Sequence, residues 1–315
     1  MKKLLLIVVG AAALAGCNRS PEYYFKRANY LFGTGRSMEA IENYNKALLL
    51  QRNYPEALVS RGMLYEKTGD RQKAAQDYRK AMEQNSSYLP AYNNLGALLM
   101  DGGNYAEAAR LFSSALEVKP DYDYALLNRG LARYKQGDCG GSTEDLSRAL
   151  ELNPKLELAY YHRALCARNA KNLPAAIGDL NAVLELNPAA WIAALELGKA
   201  LYSLQDYAGA AKAFQRTAEL KPEEYLPRYW AALALYKLAD HETAMTHAAK
   251  AAELKPDSYQ ARGLMGDIFA AAGDKEMAGE QYKAAGELAP KYAAFYQARL
   301  AALSAPAPRP ARRRR

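Results

Sequence analysis

Histidine is nearly missing from this chain of 315 residues, which holds only His162, His241 and His247. His241 and His247 stand six apart, so they cannot share one helix face, and His241-Glu242 has no second histidine at the zinc-protease spacing. The chain also lacks a glycine-rich phosphate cradle and a nucleophile elbow. Neither a catalytic residue, a metal site nor a cofactor is therefore expected. Cysteine is scarce, confined to Cys17, Cys139 and Cys166. The one long apolar run, Leu4 to Leu14, is too short to span a bilayer as a stable helix. Charge of one sign is missing from most of the chain as well. The formal net charge is +8, but Lys2, Lys3, Arg309 and Arg312 to Arg315 account for seven of those charges. A near-neutral body argues against nucleic acid as a partner.

What the chain has is a period. From residue 21 to residue 292, eight stretches of 34 residues follow one another without insertion. Numbered within each stretch, position 8 reads Ala28, Gly62, Gly96, Gly130, Ala164, Gly198, Ala232, Gly266. Position 20 reads Ala40, Ala74, Ala108, Ser142, Ala176, Ala210, Ala244, Ala278, and position 27 is similarly small. Position 24 is mostly large: Tyr44, Tyr78, Phe112, Leu146, Leu180, Phe214, Ala248, Tyr282. Apolar residues three and four apart on both sides of a short polar turn predict two amphipathic helices per stretch, in the third roughly 90–101 and 105–118. Small residues let the helix backbones approach, and the large residue at position 24 is expected to fill the space between repeats. Asp70, Asn104, Asp138, Asn172, Asp206, Asp240 and Asp274 are placed to cap the second helix, with Ser37 expected to serve where Arg36 departs. Gly69, Gly103, Gly137 and Gly273 suit a left-handed end to the first helix. Pro120, Pro154, Pro188, Pro222, Pro256 and Pro290 are expected to stop the second.

This pattern closely resembles the tetratricopeptide repeat family. The resemblance implies an all-α, right-handed superhelical solenoid of eight helix-turn-helix repeats over 21–292. A closing helix is expected at 293–304, with Gln297 and Arg299 facing water. The unbroken phase offers no linker, so the repeats read as one array whose stability is shared between neighbours. The proline- and arginine-rich stretch 305–315 is expected to be a disordered tail.

The beginning of the chain carries a second resemblance. Met1-Lys2-Lys3, the apolar run and Leu14-Ala15-Gly16-Cys17 match a secretory leader ending in the bacterial lipobox. That implies a signal peptide over 1–16, lipidation of Cys17 and a tether over 17–20. Asn18 after the cysteine favours the outer membrane, facing the periplasm. Three extended residues reach only about 10 Å, so the first repeats would lie against the membrane.

In the tetratricopeptide family the inner groove is lined by the first helix of each repeat at positions 2, 5, 9 and 12. Carried onto this chain, those positions are Tyr124, Leu127, Leu131 and Tyr134, then Leu158, Tyr161, Leu165 and Arg168. Ile192, Leu195, Lys199 and Tyr202 follow, then Leu226, Tyr229, Leu233 and Tyr236. The apolar, tyrosine-rich members are the candidate partner-binding residues. Cys139 and Cys166 open and end neighbouring antiparallel helices, which allows either a disulfide or two small packing residues. The expected function is that of a non-enzymatic scaffold for protein partners of the cell envelope. It is similar in this to type IV pilus biogenesis lipoproteins and to lipoprotein adaptors of murein hydrolases. The alternative is a periplasmic carrier of a lipid or another hydrophobic small molecule.

Overall fold

The computed structural model describes residues 19–304; residues 1–18, with the expected leader and Cys17, and residues 305–315, the expected tail, lie outside them. Seventeen α-helices make up the described chain, with no strand among the described residues. They pair as α1 (Pro21–Gly33) with α2 (Ser37–Leu50), α3 (Pro55–Lys67) with α4 (Arg71–Gln84), and α5 (Leu89–Asp101) with α6 (Tyr105–Val118). Next come α7 (Asp123–Lys135) with α8 (Cys139–Leu152), α9 (Glu157–Asn169) with α10 (Leu173–Leu186), and α11 (Trp191–Ser203) with α12 (Tyr207–Leu220). The last pairs are α13 (Tyr225–Lys237) with α14 (His241–Leu254) and α15 (Tyr259–Ala271) with α16 (Lys275–Leu288). A 3₁₀ turn, Pro290–Tyr292, leads into α17 (Ala293–Ser304). Two compact units divide the chain, one up to Ala159 and one from Tyr160, and the division falls inside α9. No helix among the described residues is long and apolar enough to cross a membrane.

Each first helix ends in a left-handed residue. Gly69, Gly103, Gly137 and Gly273 take φ between 78° and 88°, as their residue type allows, and Gly35 joins them. Lys171, Gln205 and Ala239 adopt the same conformation in three consecutive repeats, with φ of 59° to 63°. A β-carbon in that region costs about 1–2 kcal/mol. Ala239→Gly is therefore expected to raise stability by about 1 kcal/mol in urea denaturation, whereas glycine inside α13 at Ala234 lowers it.

Six of the seven expected caps form. Asp70, Asp138, Asn172, Asp206, Asp240 and Asp274 accept from the backbone amides of Lys73, Gly141, Ala175, Gly209, Thr243 and Met277. Asn104 holds the cap position of α6 without a side-chain bond. Ser37 does not replace Arg36: it is the first residue of α2, and Arg36 occupies the cap position. Arginine has no acceptor for a free amide, so its guanidinium instead donates to Glu39 at 2.6 and 2.5 Å. The role expected of proline also changes. The second helix ends at the same phase in the two repeats without it, at Leu50 and Gln84, so proline is not what stops it. Pro55 and Pro90 sit in the first turn of α3 and α5, where their missing amides cost nothing.

The large residue at position 24 fills a different space from the one expected. It lies first on position 8 of its own repeat: a β-carbon on Gly62, Gly96, Gly130, Gly198 or Gly266 would come within 2.5–2.8 Å of Tyr78, Phe112, Leu146, Phe214 or Tyr282. Reach into the next repeat comes second, as where Phe214 stacks on Trp230 at 5.7 Å. Phe112 and Leu146 are fully buried and have no room to retreat. Gly96→Leu and Gly130→Leu are expected to destabilise by about 1–3 kcal/mol through overpacking. Unchanged melting in both variants would contradict this packing.

A second set of contacts ties three of the helix pairs together. Arg61, Arg129 and Arg163 at position 7 make bidentate bonds of 2.6–2.9 Å to the buried Asp77, Asp145 and Asp179 at position 23. Arg61 also donates to Asn45 at 2.5 Å and Arg129 to Ser113 at 3.1 Å, both on the second helix of the preceding repeat. Each buried carboxylate is thus paired, and in these two repeats the arginine also fixes the stacking. In the third and sixth repeats Leu95 with Leu111 and Leu197 with Ala213 take the same two positions.

The closing helix is polar only in part. Gln297 faces water, and Arg299, with 40% of its side chain exposed, pairs with Asp267, which also accepts from the Tyr282 hydroxyl at 2.7 Å. Phe295 is left 53% exposed beside Ala294 and Ala298.

Candidate functional site

First helices of successive repeats touch one another in each unit, as α1, α3, α5 and α7 do in one and α13 and α15 in the other. A helix repeats every 3.6 residues, so positions 2, 5, 9 and 12 fall on one stripe of that layer. The structure separates that stripe by depth. Position 2 carries the open apolar side chains: Tyr124 is 51% exposed, Leu158 53%, Ile192 47% and Leu226 46%. Leu127, Leu165 and Leu195 are buried and act as packing residues. Leu131, Tyr134, Tyr161, Tyr202, Tyr229, Leu233 and Tyr236 are half-buried.

In the unit from Tyr160 onward, Leu195, Tyr202, Tyr229, Leu233 and Tyr236 come together around one apolar cluster with Trp191 and Trp230. Tyr161 packs instead against the cluster of Leu180, Ala193 and Leu197. An aromatic ladder crosses the larger cluster. Tyr207 meets Tyr202 at 5.1 Å, Tyr202 meets Trp230 at 5.6 Å, and Trp230 meets Tyr229 at 5.9 Å. Tyr229 stacks on Tyr225 at 5.7 Å. The Tyr225 hydroxyl is 2.7 Å from that of the buried Ser258, which gives the far end of the ladder a polar anchor. Lysines approach two of these rings: Lys221 lies 5.6 Å from Trp191 and Lys255 lies 5.6 Å from Tyr225.

Burial, followed by the neighbouring tyrosines, pushes the Tyr229 phenol up to about 12. Burial does the same to Tyr44 and Tyr282. An unfolded chain ionises its tyrosines near 10, while the folded chain keeps these three protonated. Their stabilisation is therefore complete below pH 10 and is lost as pH rises from about 10 to about 12. Unfolding midpoints followed by circular dichroism should fall across that window, and phenolate absorbance of the folded protein should lag behind that of free tyrosine.

Arg168 and Lys199 occupy groove positions in the sequence but are not among the apolar and tyrosine candidates. The structure brings both to Glu196, which is buried at position 6 of the sixth repeat. Arg168 Nη1 donates to Glu196 Oε2, and Lys199 Nζ donates to Oε1 at 2.8 Å. A charged residue in an otherwise apolar helix face was the available signal. Cys139 opens α8, half-buried, and Cys166 is buried in α9.

Repeat geometry and residue pattern agree with what matches in other proteins. The tetratricopeptide repeat profile matches residues 25–89, 131–184 and 172–225, and a further TPR repeat profile matches 96–137. The chain belongs to the tetratricopeptide repeat family. Among solved structures, Pseudomonas aeruginosa PilF superposes with a TM-score of 0.58 at 20% identity, over 68% of this chain and 97% of PilF. A tetratricopeptide repeat protein from Parabacteroides merdae gives 0.53 at 21% identity, over 80% of this chain and 99% of its own. YrrB, described as a TPR protein with an unusual peptide-binding site, gives 0.51 at 22% identity, over 58% and 95%. At these identities the likeness is one of fold. No curated protein matches the chain in sequence. TPR proteins bind protein partners, and that holds as the general property of this fold.

Proposed function

We propose that this TPR chain is a non-enzymatic scaffold, held by lipid on Cys17 to the bacterial outer membrane and facing the periplasm. It captures an apolar or amphipathic segment of an envelope protein on its first helices. One observation carries the reading. Ile192 and Leu226 stand half-exposed on α11 and α13, the two helices that carry Tyr202, Tyr229 and Trp230 of the half-buried ladder, so a segment laid across these helices would hide apolar area now open to water. The peptide-binding site for which YrrB is described supports a groove of this kind, and the lipobox of the sequence supports an envelope setting.

Photo-crosslinking in intact cells tests the proposal. A benzophenone side chain at Ile192 or Leu226 is expected to yield a discrete polypeptide adduct, and one at the exposed Lys212 of α12 is not. Lipid adducts in place of polypeptide at both inner positions would turn the reading into that of a carrier.

A further inference from the structure

The corner formed by Arg168, Glu196 and Lys199 holds two cations and one anion. Its carboxylate is buried and already divided, one oxygen to each partner. The cations are not buried to match: 39% of the Arg168 side chain and 29% of the Lys199 side chain remain exposed. One positive charge is therefore left over, on side chains that an incoming group can reach. Lys199 and Tyr202 are three apart on α11 and so share a face, and Tyr202 leads through Trp230 into the aromatic ladder. The excess charge stands at the head of the proposed binding stripe.

We infer that this corner binds an acidic side chain, aspartate or glutamate, of the captured segment, while the residues beside it lie over Tyr202, Trp230, Ile192 and Leu226. This rests on the proposed groove. An incoming carboxylate completes the charge balance and accepts charge-assisted hydrogen bonds from the outer edges of both cations. A segment presenting lysine at that point meets the unbalanced charge and is rejected, so the corner sets which amphipathic segments are accepted and in which register. Glu196 plays the opposite part: it competes for the same two donors and holds the corner weaker than two free cations would be.

The test starts from a displayed library of random peptide segments without free carboxyl ends, selected on the full chain. Enriched segments are expected to carry aspartate or glutamate next to aliphatic or aromatic residues. For a synthetic, amidated segment from that set, Arg168→Gln and Lys199→Gln are each expected to weaken binding about fivefold or more. Replacing the peptide's acidic residue by its amide should do the same, and it disturbs no residue of the protein. Combining the peptide change with either substitution should add little, since both remove one interaction. Glu196→Gln is expected to tighten binding several-fold, with helicity retained. A purely structural role for the trio predicts the reverse, since loss of the buried carboxylate would only loosen α9 from α11. Enriched segments that lack acidic residues, yet lose binding when Ile192 and Leu226 become serine, would overturn the acidic preference and leave the groove intact. Enriched segments indifferent to Ile192 and Leu226 would overturn the groove reading itself.

Discussion

Joint replacement of Ile192, Leu226 and Tyr236 by serine weakens capture of the partner at least tenfold while far-ultraviolet helicity stays unchanged. The first two side chains are about half exposed, so their loss costs the free protein little. In a complex the balance changes, because a well-packed apolar anchor at the centre of an interface contributes on the order of 2 kcal/mol. A tenfold change needs only about 1.4 kcal/mol, which leaves room for incomplete burial of any one of the three. Deleting residues 305–315 provides the comparison. Those residues hold Arg309 and Arg312 to Arg315, and exposed charge of this kind acts over about 8 Å at physiological salt. The deletion should therefore alter the salt dependence of capture more than its strength. If a crosslinking pull-down shows the opposite order, with the deletion losing the partner and the triple variant keeping it, recognition belongs to the arginine-rich end and not to the repeats.

Cys17→Ser is expected to move nearly all of the protein from the membrane fraction to the soluble fraction, with an unchanged melting curve. No helix among the described residues spans a bilayer, so attachment in this reading depends on acyl chains alone. Each buried methylene contributes about 0.8 kcal/mol, and several chains on one residue hold far more tightly than one. Carbonate-washed membranes from the parent and the variant give the comparison. Equal retention of both would remove the lipid anchor and the outer-membrane location together.

The local pattern made most of the architecture legible. Helix periodicity and acidic or amide caps are properties of short segments, with their causes within a turn or two of helix, and the 34-residue recurrence of small residues at positions 8 and 20 marks where those helices meet. Helices α5 and α6 start and stop within a residue of where periodicity puts them. Some exceptions are local as well. Arg36 fails as a cap because of its own chemistry, and the second helices of the first two repeats end on phase with no proline at position 32.

What the sequence determined by itself, then, is the set of helices, their faces and their family, because 3.6-residue periodicity and turn chemistry are written in neighbouring residues. Depth and partnership were decided by the tertiary structure. Periodicity puts Leu195 and Ile192 on one stripe, yet only the packing of successive repeats buries the first and leaves the second half in water. The bonds of Arg61, Arg129 and Arg163 to aspartates 16 positions later exist because antiparallel helices bring those positions together. The same holds for Arg168 and Glu196, 28 positions apart on different repeats: one looks like a break in an apolar face and the other like a lone acid, until stacking joins them. Charge balance is a property of that joined corner, and no single helix contains it.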